Sequence, residues 1–225
     1  MELLHKTFED MQYLIRYPKN YDSTKRYPVI LFLHGAGTRS SDITVLKNNF
    51  FFKSSEKFLD LGFITVAPLC ERETWCDHFE TLARFTKTVF AAPDTDPARF
   101  YLTGNSMGGY GTWQLAISHP ELFAAIVPVC GGGMYWDAGR LVNVPVWAFH
   151  GEKDSLVLPA ESKIMVERVN QCGGNARLTL YPEAGHDAWT PTYTNREVYE
   201  WLLSHQNENA KTLVNEYAAD AAAFG

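Results

Sequence analysis

The 225 residues are 46% hydrophobic and 20% charged, with 16 Gly and 11 Pro, a balance that excludes a disordered, collagenous or coiled-coil chain and fits one hydrophobic core. Twenty Lys and Arg against 26 Asp and Glu give a formal charge of −6, which leaves no concentrated basic face for nucleic acid. No run approaches the about 18 apolar residues of a membrane span, and charges interrupt MELLHKTFED where a signal core would lie. The chain as given therefore reads as cytoplasmic, although a secreted form cut from its signal peptide would look the same.

Met11 to Tyr17 alternates and stops at Pro18, which predicts an edge or second strand. Tyr27 to Leu33 is a continuous apolar run ending at His34-Gly35, the pattern of a strand buried on both faces. Val45 to Leu61 places Leu46, Phe50, Phe58 and Leu61 roughly on one helical face, and Phe50-Phe51-Phe52 within it reads as core. Further strands are predicted at Phe63–Ala67, Phe100–Thr103, Ala124–Val129, Val144–Phe149 and Leu178–Tyr181. Helices are predicted at Phe79–Phe90, Tyr110–Ser118, Ala160–Gln171 and Arg196–Ser204. Strands alternating with helices imply an α/β fold, a mostly parallel central sheet with helices on both faces. In such sheets the chemistry belongs to loops at the carboxyl ends of strands.

Cys70, Cys76, Cys130 and Cys172 are too few and too scattered for a disulfide framework. The Cys70–Cys76 spacing fits no usual zinc pair, so they read as ordinary thiols. No metal and no organic cofactor is expected.

Gly104-Asn105-Ser106-Met107-Gly108 matches G-x-S-x-G between a predicted strand and a predicted helix, the context in which this motif presents a nucleophile. The turn is so tight that Ser106 must take a strained conformation, with glycines two residues away on either side. A serine hydroxyl needs a base, and His186 lies late in the chain, in a turn after a strand, as the order Ser, Asp/Glu, His requires. His34 and His150 each precede a Gly at a strand end and read as braces for their loops. His5, His119 and His205 read as surface or helix-end residues. Asp154, in His150-Gly151-Glu152-Lys153-Asp154 after a strand, is the expected partner that orients the imidazole. Glu152 and Asp187 are its rivals, the first facing solvent and the second pointing away from its neighbour His186. The backbone N–H groups of Met107 and of Ala36, in His34-Gly35-Ala36-Gly37, are the expected oxyanion donors.

With these residues in view the sequence resembles the α/β-hydrolase superfamily. Within it the chain is similar to the esterase and predicted-peptidase group related to dienelactone hydrolases and feruloyl esterases. The resemblance is carried by LFLHGAG (31–37), APLCERETWCDHF (67–79), RFYLTGNSMGGYGTW (99–113), PELFAAIVPVCGG (120–132), VPVWAFHGEKDSLV (144–157) and LTLYPEAGHDAWTPTY (178–193). It implies a three-layer α/β-hydrolase fold, with Ser106, Asp154 and His186 on the family's triad and Ala36 with Met107 on its oxyanion hole. The loop Thr38 to Asp42 departs from the acidic, Gly-containing turn usual in relatives.

Only Cys130 to Asn143 separates the strands near Val127 and Trp147, too short for a large cap domain, so an open cleft is expected. Trp75 and Trp189, on loops at the carboxyl end of the sheet, are candidates to offer a flat face to a sugar or an aryl acid. Residues 1–205 are expected to form a single catalytic domain, and 206–225 an Ala-rich tail, helical or flexible. The expected activity is a serine carboxylesterase working through an acyl-enzyme on short-chain or aryl esters of feruloyl or acetyl type. Its substrates are small molecules or acyl groups attached to polysaccharide, and neither nucleic acid nor membrane is a partner. A homo-oligomer is left open. The alternatives are a small-peptide serine peptidase on the same triad and a non-catalytic binding protein on the same fold.

Overall fold

The computed structural model describes residues 2–217 of the chain. Among the described residues eight strands form one sheet: β1 (Leu4–Phe8), β2 (Met11–Arg16), β3 (Tyr27–Leu33), β4 (Ile64–Pro68), β5 (Thr95–Asn105), β6 (Ala125–Val129), β7 (Val146–Gly151) and β8 (Ala176–Tyr181). Their spatial order is β1-β2-β4-β3-β5-β6-β7-β8. β1 and β2 pair antiparallel, as do β2 and β4, and every pairing from β4 to β8 is parallel. Helices among the described residues include α1 (Thr44–Lys47), α2 (Phe50–Ser55), α3 (Phe79–Phe90), α4 (Met107–Ser118), α5 (Pro159–Gln171), α6 (Trp189–Tyr193) and α7 (Arg196–Leu203).

The period-2 geometry of β3 sends Val29, Leu31 and Leu33 to one face and Ile30 and Phe32 to the other. The first set packs with Leu82, Phe85 and Phe90 of α3, Trp113 and Leu115 of α4, and Met165 and Val169 of α5. The second packs with Phe51 and Phe52 of α2, Tyr193 of α6, and Val198 and Leu202 of α7. Two apolar layers thus hold helices on both faces, the three-layer architecture the sequence predicts. Between β6 and β7 the chain makes only a 3-10 turn, Tyr135–Leu141, so no large cap domain covers the carboxyl end of the sheet.

From β3 the chain steps outward to β4, then returns to the other flank of β3 for β5. The loops leaving β3 and β5 therefore diverge at the point where the winding reverses, where an α/β sheet opens its crevice.

Two expectations need correction. β1 was not predicted: all but one of its residues are exposed, so this edge strand carries no apolar alternation. The single helix expected over Val45–Leu61 is three pieces. Asn49 takes an extended conformation and its side chain accepts from the Phe51 N–H, capping a new helix. Beyond Ser55 the chain tightens to a 3-10 turn, Glu56–Leu61, that ends on Gly62 at φ 73°. Arg16, 2% exposed, pins this region from β2. Its guanidinium donates to the Phe52 carbonyl at 2.7 Å and to Ser55 Oγ at 2.6 Å, and lies 5.3 Å from the centre of the Phe52 ring. Burial lowers its pKa to about 10, so it stays charged at neutral pH.

Of the tail, residues 206–217 begin with a 3-10 turn, Glu208–Thr212, and Tyr217 packs edge-on to Phe90 at 6.0 Å. Residues 218–225 lie outside the described residues. No helix among the described residues is long and apolar enough to cross a membrane.

Candidate active site

Ser106 sits between β5 and α4 with φ 56° and ψ −118°, a conformation that costs a non-glycine residue about 1–3 kcal/mol. The glycines two residues before and after it are packed too closely to carry a side chain. A Cβ on Gly104 would lie 2.4 Å from the Gly108 carbonyl oxygen, and one on Gly108 would lie 1.9 Å from the Leu33 carbonyl oxygen. The glycines let α4 start against the end of β3, and the Ser106 N–H is tied to the Val129 carbonyl at 2.9 Å. Gly108→Ala is expected to destabilise the fold by about 3 kcal/mol or more, read as a fall in Tm of roughly 6–12 °C for a chain of this size. An unchanged melting curve would show that β3 and α4 can part at no cost.

His186, in the loop after β8, reaches Ser106 Oγ with Nε2 at 2.8 Å and Asp154 Oδ2 with Nδ1 at 2.7 Å. The Asp154 carboxylate accepts only, so Nδ1 carries the hydrogen and Nε2 is the acceptor that faces the serine hydroxyl. Asp154 is 3% exposed, and its Oδ1 takes the Leu156 and Val157 N–H groups, each at 2.9 Å. Burial pushes the Asp154 carboxyl up, but the His186 hydrogen bond and the two backbone donors outweigh it and hold the group below its ordinary value. The rivals are engaged elsewhere: Asp187 accepts from the Thr190 N–H and hydroxyl at the start of α6, and Glu152 is exposed.

Ala36 opens a 3-10 turn, Ala36–Thr38, after β3, and Met107 opens α4, where an N–H has no acceptor within its own helix. The two loops touch: a Cβ on Gly35 would meet Asn105 Nδ2 at 2.9 Å and Ser106 Cβ at 3.5 Å. His34 braces the first of these loops. Its Nδ1–H donates to the Gly35 carbonyl at 2.8 Å and Nε2 accepts the Cys70 N–H at 2.9 Å, and burial lowers its pKa to about 4, so the ring is neutral. Cys70 and Cys130 are buried free thiols, pushed by burial to about 11 and about 12, while Cys76 and Cys172 are exposed and free.

A cavity of about 400 Å³ opens over Ser106, between the Gly35–Thr38 loop, Phe50 and Phe51 of α2, and His186, Trp189 and Tyr193. Leu156, 75% exposed, stands at its lip. Trp189 is therefore where the sequence placed it, its ring edge-on to His186 at 5.4 Å. Trp75 is not. It is 2% exposed, its indole N–H donates to the His34 carbonyl at 3.0 Å, and one edge borders a shallower depression beside Met107 and Tyr110. The indole closes the loop after β4 rather than facing the serine. Sequence reasoning missed Phe50, Phe51 and Tyr193 as cavity walls. The one signal for the two phenylalanines was Asn49, the residue that caps the helix they begin.

A model of the dienelactone hydrolase family matches residues 73–221. A thermostable esterase of known structure is 30% identical, with a TM-score of 0.81, over 91% of this chain and 63% of its own. Probable feruloyl esterase C of Aspergillus terreus is 25% identical over 157 residues, 68% of this chain and 58% of that protein. Dipeptidyl-peptidase 5 of Porphyromonas gingivalis is 20% identical over 239 residues, 82% of this chain and 34% of that protein. The chain thus spans about a third of the peptidase and little more than half of the feruloyl esterase.

Proposed function

Because the chain belongs to the dienelactone hydrolase family, we propose that it is a serine-dependent carboxylic ester hydrolase working through an acyl-enzyme. One observation carries the reading: an unbroken line of hydrogen bonds, 2.8 Å from Ser106 to His186 and 2.7 Å from His186 to Asp154. In the proposed reaction Ser106 Oγ attacks the ester carbonyl carbon as its proton passes to His186 Nε2. Asp154 stabilises the imidazolium, and the Ala36 and Met107 N–H groups take the oxyanion, each contributing about 3–4 kcal/mol to the transition state. His186 returns the proton to the departing alcohol. A water molecule, deprotonated by the same nitrogen, then attacks the acyl-enzyme and releases the acid.

The substrates proposed are short-chain or aryl esters of acetyl or feruloyl type, including acyl groups carried on polysaccharide. The cavity walls Phe50, Phe51, Trp189 and Tyr193 suit an apolar or aromatic group, and the short β6–β7 connection leaves the mouth open to a bulky one. A peptidase is the second reading, favoured by the likeness to dipeptidyl-peptidase 5 over most of this chain. A fluorophosphonate probe is expected to add its mass to the peptide containing Ser106, and matched aryl ester and anilide substrates are expected to show hydrolysis of the ester alone. Anilide rates equal to the ester rates would favour the peptidase, and an unlabelled Ser106 would point to a binding protein.

A further inference from the structure

His150, at the carboxyl end of β7, is fully enclosed, at 0% exposure. Its Nε2 stands 2.9 Å from the Val157 carbonyl oxygen and 3.3 Å from Asp154 Oδ2, the oxygen that also receives His186. Its Nδ1 stands 2.8 Å from Ser162 Oγ on α5, and that hydroxyl is 2.9 Å from the Gly131 carbonyl oxygen. A carbonyl and a carboxylate only accept, so Nε2 carries a hydrogen whichever way the rest of the network is arranged. Ser162 has one hydroxyl hydrogen for two neighbours. It goes either to His150 Nδ1 or to the Gly131 carbonyl oxygen. Both arrangements aim the Nε2–H at the Val157 carbonyl, with Asp154 Oδ2 beside it at 3.3 Å.

The network also has an anchor. Gly131 packs so closely on the first turn of α4 that a Cβ there would lie 2.6 Å from the Gly109 carbonyl carbon. Contacts therefore run from Asp154 through His150, Ser162 and Gly131 to the helix that starts behind Ser106. A side chain that merely filled this space would need no polar atoms, yet both ring nitrogens are engaged.

We propose that His150 is a positioning residue: its Nε2–H holds the Val157 carbonyl, and with it the turn 151–157 whose Leu156 and Val157 N–H groups keep the Asp154 carboxylate at the angle that meets His186 Nδ1. The proposal rests on the serine-hydrolase reading, and its test keeps the two apart. His150→Met keeps bulk and donates nothing, whereas His150→Gln puts an amide N–H near the place of Nε2. With a nitrophenyl ester and the full chain, His150→Met is expected to lower kcat about 10- to 100-fold, the scale of a small misplacement of a catalytic group, with KM little changed. His150→Gln is expected to recover most of that loss. The His186 Nδ1 proton, read by NMR at low field without substrate, is expected to move in the Met variant and return in the Gln variant. Should His150→Met not fold, Ser162→Ala, which removes the partner of Nδ1, is expected to lower kcat severalfold in the same KM-independent way. Wild-type kcat in the folded Met variant, equal losses with Met and Gln, or, if Met does not fold, wild-type kcat in Ser162→Ala would overturn the proposal. A wild-type chain that cleaves no ester, but whose proton resonance responds as described, would keep the positioning role and overturn the hydrolase reading instead.

Discussion

Ser106→Ala is expected to lower kcat for ester hydrolysis on the order of 10⁶-fold, the scale seen when a serine nucleophile is removed. The hydroxyl is hydrogen-bonded to His186 Nε2 at 2.8 Å, and no second hydroxyl, thiol or amine among the described residues is hydrogen-bonded to that nitrogen. The fold should survive. Alanine retains the Cβ that already fits the turn at φ 56°, and what disappears is one hydrogen bond at the floor of an open cavity. Such a loss amounts to about 1 kcal/mol, or roughly 2–4 °C in Tm. Steady-state rates on a nitrophenyl ester with a melting curve of the same preparation separate the two effects. Activity within tenfold of wild type in a folded variant would remove Ser106 from the mechanism.

Asp154→Asn is expected to cost about 10⁴-fold in kcat for a different reason. The amide oxygen can still accept the Leu156 and Val157 N–H groups, so the turn keeps its shape. The amide NH2 then faces His186 Nδ1, which must become an acceptor. The imidazole hydrogen moves to Nε2, and the nitrogen that has to take the serine proton is already protonated. The same NH2 opposes the N–H of His150, 3.3 Å from the carboxylate oxygen it replaces. Rates measured across pH should recover partly in strong alkali, where hydroxide replaces the lost base. A folded Asn variant with wild-type kcat at neutral pH would mean that the tautomer is set by something other than Asp154.

The strands legible in the sequence are those buried on both faces. β3, β4, β6 and β7 give unbroken apolar runs because each is covered by helices above and below. β1 is invisible for the converse reason: an exposed edge strand imposes no pattern. The three-way break in 44–61 was hidden because hydrophobic spacing persists through a cap and a 3-10 turn; Asn49 marks the first joint, Gly62 marks only the end, and the joint at Ser55 carries no mark. Ser106, Asp154 and His186 could be placed from motif, strand ends and chain order, since each loop leaves the same edge of the sheet. Proximity between loops could not. Nothing in the neighbourhood of Trp75 tells that its N–H will meet the His34 carbonyl 41 positions earlier in the chain. Likewise His150 shows that a histidine four residues before an aspartate is near it, but not that both of its nitrogens are engaged.

Arg16 bears on the cavity although it touches none of its contents. By clasping the Phe52 carbonyl and the Ser55 hydroxyl it fixes the short helix whose first two rings, Phe50 and Phe51, form one wall. Moving that wall would mean dragging a buried guanidinium off its acceptors, a penalty that guest molecules of this size cannot repay. The chamber therefore behaves as a fixed gauge. Under the proposed ester-hydrolase reading, the group that enters beside Phe50 and Phe51 is expected to be selected by whether it fits the space as built.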